Sequence, residues 1–142
     1  MKKYKIGYTS GVFDMFHIGH LNVLKNAKER CEYLVVGVST DELVKEYKNK
    51  VPVIPYEERS EIVAAIRYVD KVVPQVDMNK LNSAAEANAD AIFVGDDWKG
   101  TEKWNTYEKE LNAHGIDVVY LPHTDGISST MLTSVKEEKI EE

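Results

Sequence analysis

The sequence predicts an α/β protein of one domain: a five-stranded parallel sheet with helices on both faces. Apolar runs of strand length and amphipathic segments of helical period alternate from end to end. No composition break, repeat or flexible linker interrupts them, and 142 residues suffice for one continuous core. Strands that alternate with helices build βαβ units with right-handed crossovers, and so a parallel sheet.

Each element has its own signal. Residues 3–10, KYKIGYTS, read as the first strand, and Leu21, Leu24 and Ala27 recur at helical spacing in the segment 19–31. The near-continuous apolar run YLVVGVS (33–39) is of the buried parallel-strand type. Residues 45–55, KEYKNKVPVIP, carry two prolines and read as a surface loop. The segment 56–69, YEERSEIVAAIRYV, is an amphipathic helix, and KVVP (71–74) a short strand ended by Pro74. An alanine-rich helix (79–89), the strand AIFVG (91–95) and a helix with a glycine stop (101–115) follow. DVVYLP (117–122) is the last strand, and 128–140 a final helix capped by Ser128 or Ser129. The domain spans 1–132, and 133–142 form an acidic helix end or tail.

Composition narrows the function. A formal net charge of −6 argues against nonspecific nucleic-acid binding, which needs surplus Lys and Arg, but leaves room for a small anionic substrate held by locally converging bases. No apolar run approaches the roughly 20 residues of a membrane helix, and the N-terminal stretch lacks a signal-peptide core. Cytoplasm is the expected compartment, with neither membrane nor nucleic acid as partner. The single cysteine, Cys31, excludes an internal disulfide and any multi-cysteine zinc cage.

In parallel sheets ligands bind beyond the carboxyl ends of the strands, and each candidate motif follows a strand. His17 and His20, three residues apart in GVFDMFHIGH (11–20), share one face of a helical turn. They stand where a helix N-terminus offers free N–H groups and a positive dipole end to an anion. Two imidazoles added there suit a phosphate that gains charge during reaction. A surface or capping pair is the plainer reading, and zinc would need further ligands than the distant His114 and His123. The loop HTDGISST (123–130) offers a glycine, several hydroxyls and another helix start, suited to phosphate or to simple capping. Lys48 and Lys50 sit in the proline-bearing loop. Arg59 and Arg67 lie two turns apart on the predicted helix, Arg67 beside the apolar stripe and so needing an anionic partner. GDDW (95–98) places carboxylates at a strand end, where they accept from a base amino group, hold magnesium through water or merely cap a turn. P-loop, GxGxxG and GxSxG signatures are absent.

Together GVFDMFHIGH, YEER, IRYVD, GDDW and HTDGISST resemble the motifs of the cytidylyltransferase branch of the HxGH nucleotidyltransferase superfamily, in family order and spacing to about residue 132. Within it the chain is most similar to enzymes acting on glycerol 3-phosphate. The resemblance implies a Rossmann-like nucleotidyltransferase fold and transfer of CMP from CTP to glycerol 3-phosphate, giving CDP-glycerol and pyrophosphate. Another phosphorylated alcohol or a phosphonate as acceptor, or a nucleotide-binding module without turnover, are the alternatives. It implies that His17 and His20 steady charge at the α-phosphorus, and that Lys50, Arg67, Thr124, Gly126, Ile127, Ser128, Ser129 and Thr130 contact the triphosphate. Gly11, Val12, Phe13 and Asp14 would floor the nucleotide site, Asp97 would read the cytosine amino group, and Lys48 and Lys80 would hold the acceptor phosphate. Magnesium would come with the triphosphate without direct protein ligands, and the assembly would be a homodimer.

Two positions depart from the family pattern. Val12 replaces a frequent threonine, and His123 stands where the last motif usually opens with arginine. A neutral imidazole lacks the permanent bidentate grip of a guanidinium, a difference of roughly 1.5–3 kcal/mol in triphosphate binding. Either another base compensates, or activity is weak, or activity rises as His123 protonates in mild acid. The variant His123→Arg should bind CTP more tightly and lose that rise; a pH–rate profile identical to the parent's would refute this role for His123.

Overall fold

The computed structural model describes residues 3–96 and 99–122. Five strands form one wholly parallel sheet: β1 (Tyr4–Gly11), β2 (Cys31–Ser39), β3 (Lys71–Gln75), β4 (Ala91–Gly95) and β5 (Asp117–Leu121). Their order is β3-β2-β1-β4-β5, so the chain winds outward from β1 in one direction and then crosses to its other side. That reversal opens a crevice beside β1 at the carboxyl ends of the strands.

Five helices connect them: α1 (Ile18–Glu29), α2 (Asp41–Lys48), α3 (Tyr56–Ala64), α4 (Lys80–Glu86) and α5 (Glu102–Ala113). Pleating sorts the strand residues between two cores. Leu34, Val36 and Val38 of β2 and Ala91 and Phe93 of β4 face Leu24 and Ala27 of α1 and Val63 of α3. Val35 and Ile92, at the intervening positions, face Ala84 of α4 and Leu111 of α5. The expected parallel sheet with helices on both faces is what the chain forms.

Short polar residues cap the helix starts. Thr40 Oγ1 accepts from Leu43 N at 3.2 Å, Asn79 Oδ1 from Asn82 N at 3.0 Å and Thr101 Oγ1 from Trp104 N at 3.3 Å.

Two segments differ from the sequence expectation. Residues 45–48, expected to open the loop 45–55, belong to helix α2, because Leu43 and Val44 bury one side of it; the irregular stretch is 49–55. The helix expected over 56–69 ends at Ala64. Beyond it the chain tightens into three-residue turns, Ile66 N to Val63 O at 3.1 Å and Val69 N to Ile66 O at 3.0 Å. Those turns press Ile66, Tyr68 and Val69 onto the core and carry Asp70 to the Leu34 amide at 2.7 Å. Arg59 and Arg67 therefore do not share a helix face. The expected helix 128–140 and the tail 133–142 lie outside the described residues.

Gly37 is required by a close approach: a Cβ there would stand 2.1 Å from Tyr8 Oη and 2.9 Å from Tyr8 Cζ. Gly37→Ala should cost about 1–3 kcal/mol of stability in denaturant unfolding, and adding Tyr8→Phe should recover part of the loss. An alanine variant as stable as the parent contradicts this packing.

Candidate active site

The turn between β1 and α1 is built from strained backbone. Phe13 (φ 54°) and Met15 (φ 50°) both occupy the left-handed region, which costs a side-chain-bearing residue about 1–2 kcal/mol. Packing offsets the strain. The Phe13 ring is buried over Gly11, whose Cβ would lie 3.2 Å from it, and sits 6.3 Å from Phe16 and 5.4 Å from His20 between ring centroids.

His17 is the N-cap of α1 and His20 its third residue, and each imidazole accepts a backbone N–H from the other's neighbourhood. His17 Nδ1 accepts from Gly19 N at 3.0 Å, and His20 Nδ1 accepts from His17 N at 3.3 Å, a reciprocal capping box made of two histidines. The rings stack at 3.8 Å between centroids, 24° from parallel. An Nδ1 that accepts carries no proton, so in the neutral rings both Nε2 atoms are N–H donors. Burial pushes the His20 pKa down to about 4, helped by the neighbouring His17 and opposed by Asp14; burial also lowers that of His17. Lowered pKa values favour the neutral form of both rings at pH 7, and an Nδ1 that accepts a backbone N–H leaves the ring proton on Nε2.

Arg59 gathers the other side of the site. Its buried guanidinium donates through Nε to Ile54 O at 2.7 Å, through Nη1 to Val12 O at 2.7 Å and Ser39 O at 2.8 Å, and through Nη2 to Asp41 at 2.6 Å. The Asp14 carboxylate accepts from Val53 N at 2.8 Å and Ile54 N at 2.9 Å. Lys48 closes α2, Asn49 turns the chain in left-handed geometry (φ 54°), and Lys50 follows. Although Lys48 is an exposed residue, crowding around its ammonium lowers its pKa, the charge of Lys50 lowers it further and Asp14 opposes both.

Lys80 begins α4, with its ammonium 5.7 Å from the Trp104 ring centroid. Burial first and the charge of Lys103 second lower its pKa, against Asp77. Like the imidazoles it stands at the carboxyl side of the sheet, on the helix face opposite α1.

Arg67 is the expected site residue that the structure does not bring to this rim. It lies in the exposed turn leading into β3, on the amino-terminal side of that strand, and its Nη2 donates to Tyr68 Oη at 3.1 Å. Asp97 and the loop residues His123, Thr124, Gly126, Ile127, Ser128, Ser129 and Thr130 lie outside the described residues. Sequence reading left Arg59 among unassigned bases and missed its organising role. The signal was its spacing of four from Val63 and seven from Ile66, both of which pack into the core, which put it on the buried stripe.

Residues 8–135 match the cytidylyltransferase-like family, and the chain belongs to that family. It is 40% identical over 131 residues to a glycerol-3-phosphate cytidylyltransferase of Bacillus subtilis (strain 168), covering 92% of this chain and 93% of that one. It is 34% identical over 125 residues to a protein of the same name from Staphylococcus aureus (strain NCTC 8325 / PS 47), covering 87% and 89%. An FAD synthase of Thermococcus kodakarensis is 39% identical over 120 residues, covering 80% and 76%. Among solved structures, the lipopolysaccharide core biosynthesis protein from Thermoplasma volcanium GSS1 superposes with a TM-score of 0.70 at 26% identity, over 85% of this chain and 97% of that one. By family and by these relatives the chain is a cytidylyltransferase, an enzyme of the 2.7.7 class.

A lowered histidine pKa has a sign for stability. Between about pH 4, where His20 titrates in the fold, and its ordinary 6.5, the unfolded chain binds more protons than the folded one. The stabilisation is therefore complete above 6.5 and is lost as pH falls toward 4. In His20→Asn, whose amide oxygen can still accept the His17 N–H, the fall of melting temperature over that window should flatten. A slope equal to the parent's contradicts the assignment.

Proposed function

We propose that this chain transfers CMP from CTP to glycerol 3-phosphate, releasing pyrophosphate and CDP-glycerol. The observation that carries the reading is the pair of stacked imidazoles at a helix N-terminus on the carboxyl side of the sheet, each accepting a backbone N–H at Nδ1 and so carrying its proton on Nε2. The names of the bacillary and staphylococcal relatives supply the substrates.

The chemistry asks little more of the protein than placement and charge. A phosphate oxygen of the acceptor attacks the α-phosphorus in line, a new O–P bond forms, and the bond to the β-phosphate oxygen breaks with its electron pair leaving on pyrophosphate. The attacking oxygen is already anionic, so no proton is removed and no general base is needed. Two N–H donors aimed at the α-phosphate meet the charge that grows there, and neutral imidazoles do so without titrating. In this reading Lys50 grips the triphosphate, Lys48 and Lys80 the acceptor phosphate, and Asp97 accepts from the cytosine amino group, while 124–130 complete the phosphate contacts.

Magnesium fits this donor set as a companion of the triphosphate. The groups directed to the rim are N–H and ammonium donors, which suit phosphate oxygens, and Asp14 is engaged by two amides; the ion's oxygen ligands then come from the nucleotide. When bound it neutralises phosphate charge. A cytoplasmic homodimer is part of the same proposal. Transfer to another phosphorylated alcohol is the second reading, favoured by the FAD synthase relative, a protein about as similar to this chain that carries a different name.

Pyrophosphate release with magnesium, crossing CTP, ATP and UTP against a panel of phosphorylated alcohols, tests this directly. Turnover is expected with CTP and glycerol 3-phosphate, reduced about 100- to 1,000-fold in His17→Ala. Turnover with CTP and a different acceptor only would overturn the choice of acceptor, and none with any pair would overturn the reaction.

A further inference from the structure

Residues 41–54 form an excursion that leaves the rim after β2, carries Lys48 and Lys50 at its far turn and returns before α3. Both of its feet stand on one side chain: Arg59 holds Asp41 at the outgoing foot and Ile54 O at the returning one. The same guanidinium reaches Val12 O in the histidine turn and Ser39 O at the end of β2. From that turn Asp14 grips the returning foot, one carboxylate oxygen on Val53 N and the other on Ile54 N. The residues that carry the imidazoles and those that carry the ammonium groups are thus sewn together by six hydrogen bonds, counted as four from Arg59 and two to Asp14.

We infer that Asp14 and Arg59 are positioning residues, a two-sided latch that sets Lys48 and Lys50 at a fixed place relative to His17 and His20. The inference rests on the reading of the site given above and assigns Asp14 a different task from flooring the nucleotide. Its carboxylate aligns the lysine-bearing turn. Placement of this kind governs rate, because an error of about 1 Å in a positioning group costs on the order of 100-fold.

Arg59 is buried, and truncating it would strand a carboxylate and three carbonyls, so Asp14→Asn is the variant of choice. The amide keeps the size and can satisfy only one of the two N–H groups. Trypsin cleavage after Lys50 in the native full-length protein reads the latch without any substrate. Asp14→Asn should speed that cleavage at least about tenfold with the far-UV spectrum unchanged, and lower kcat/KM for CTP by about 10- to 100-fold. Lys50→Ala should lower it comparably, and the double variant should be little worse than the poorer single one, because both remove the same placed ammonium. Cleavage unchanged in Asp14→Asn, or losses that multiply in the double variant, would overturn the latch. If the parent protein turns over no nucleotide, the function proposed above fails, and the cleavage rate still decides the latch by itself.

Discussion

A helix begins with N–H groups that have no carbonyl partner inside it, and at α1 two imidazoles complete that first turn in place of the usual hydroxyl or carboxylate cap. The choice of cap sets much else at the rim. Accepting N–H at Nδ1 fixes each ring's tautomer and rotation, and stacking at 3.8 Å forbids both rings from being charged together at little cost. Phe13 and Phe16 enclose His20 and lower the local polarity, at the expense of left-handed backbone at Phe13 and Met15. Strain, capping and burial act on the same few residues and yield a rigid pair of neutral donors.

The sheet decides where that pair works. Because β1 is the central strand and the winding reverses around it, its carboxyl end is flanked by β2 on one side and β4 on the other. β2 leads into the excursion with Lys48 and Lys50, and β4 leads toward GDDW. In the function proposed above, a polyanion at this crevice meets the N–H groups of His17 and His20 and the ammonium groups of Lys48 and Lys50, a local concentration of donors that the chain's net charge of −6 leaves room for.

Alternating periodicity made the sheet and the sorting of its residues legible: the run 33–39 reads directly as a strand buried on both faces, and Leu24, Ala27, Leu34 and Val36 meet as their spacing implies. The HxxH spacing likewise made the imidazole pair legible, though its mutual capping was not, since that depends on ring rotation. Helix α2 was hidden because eight residues of weak apolar content abut two prolines, and Thr40 with Leu43, Val44 and Tyr47 was a quieter signal than Pro52 and Pro55. Arg59 was opaque for a different reason. Its partners are three carbonyls and a carboxylate spread from Val12 to Ile54, and backbone acceptors leave no trace in a sequence. Arg67 was misplaced because the helix period runs on through Ile66 and Tyr68 although the backbone does not.

The central claim is that both imidazoles are neutral donors through Nε2, and nitrogen-15 NMR of histidine-labelled protein tests it most directly. The account predicts Nε2–H tautomers for His17 and His20 at pH 7, His20 remaining neutral until about pH 4, and Nε2 signals that shift when magnesium–CTP is added while the Nδ1 signals hold. An Nδ1–H tautomer or an imidazolium at pH 7 in either ring would contradict it.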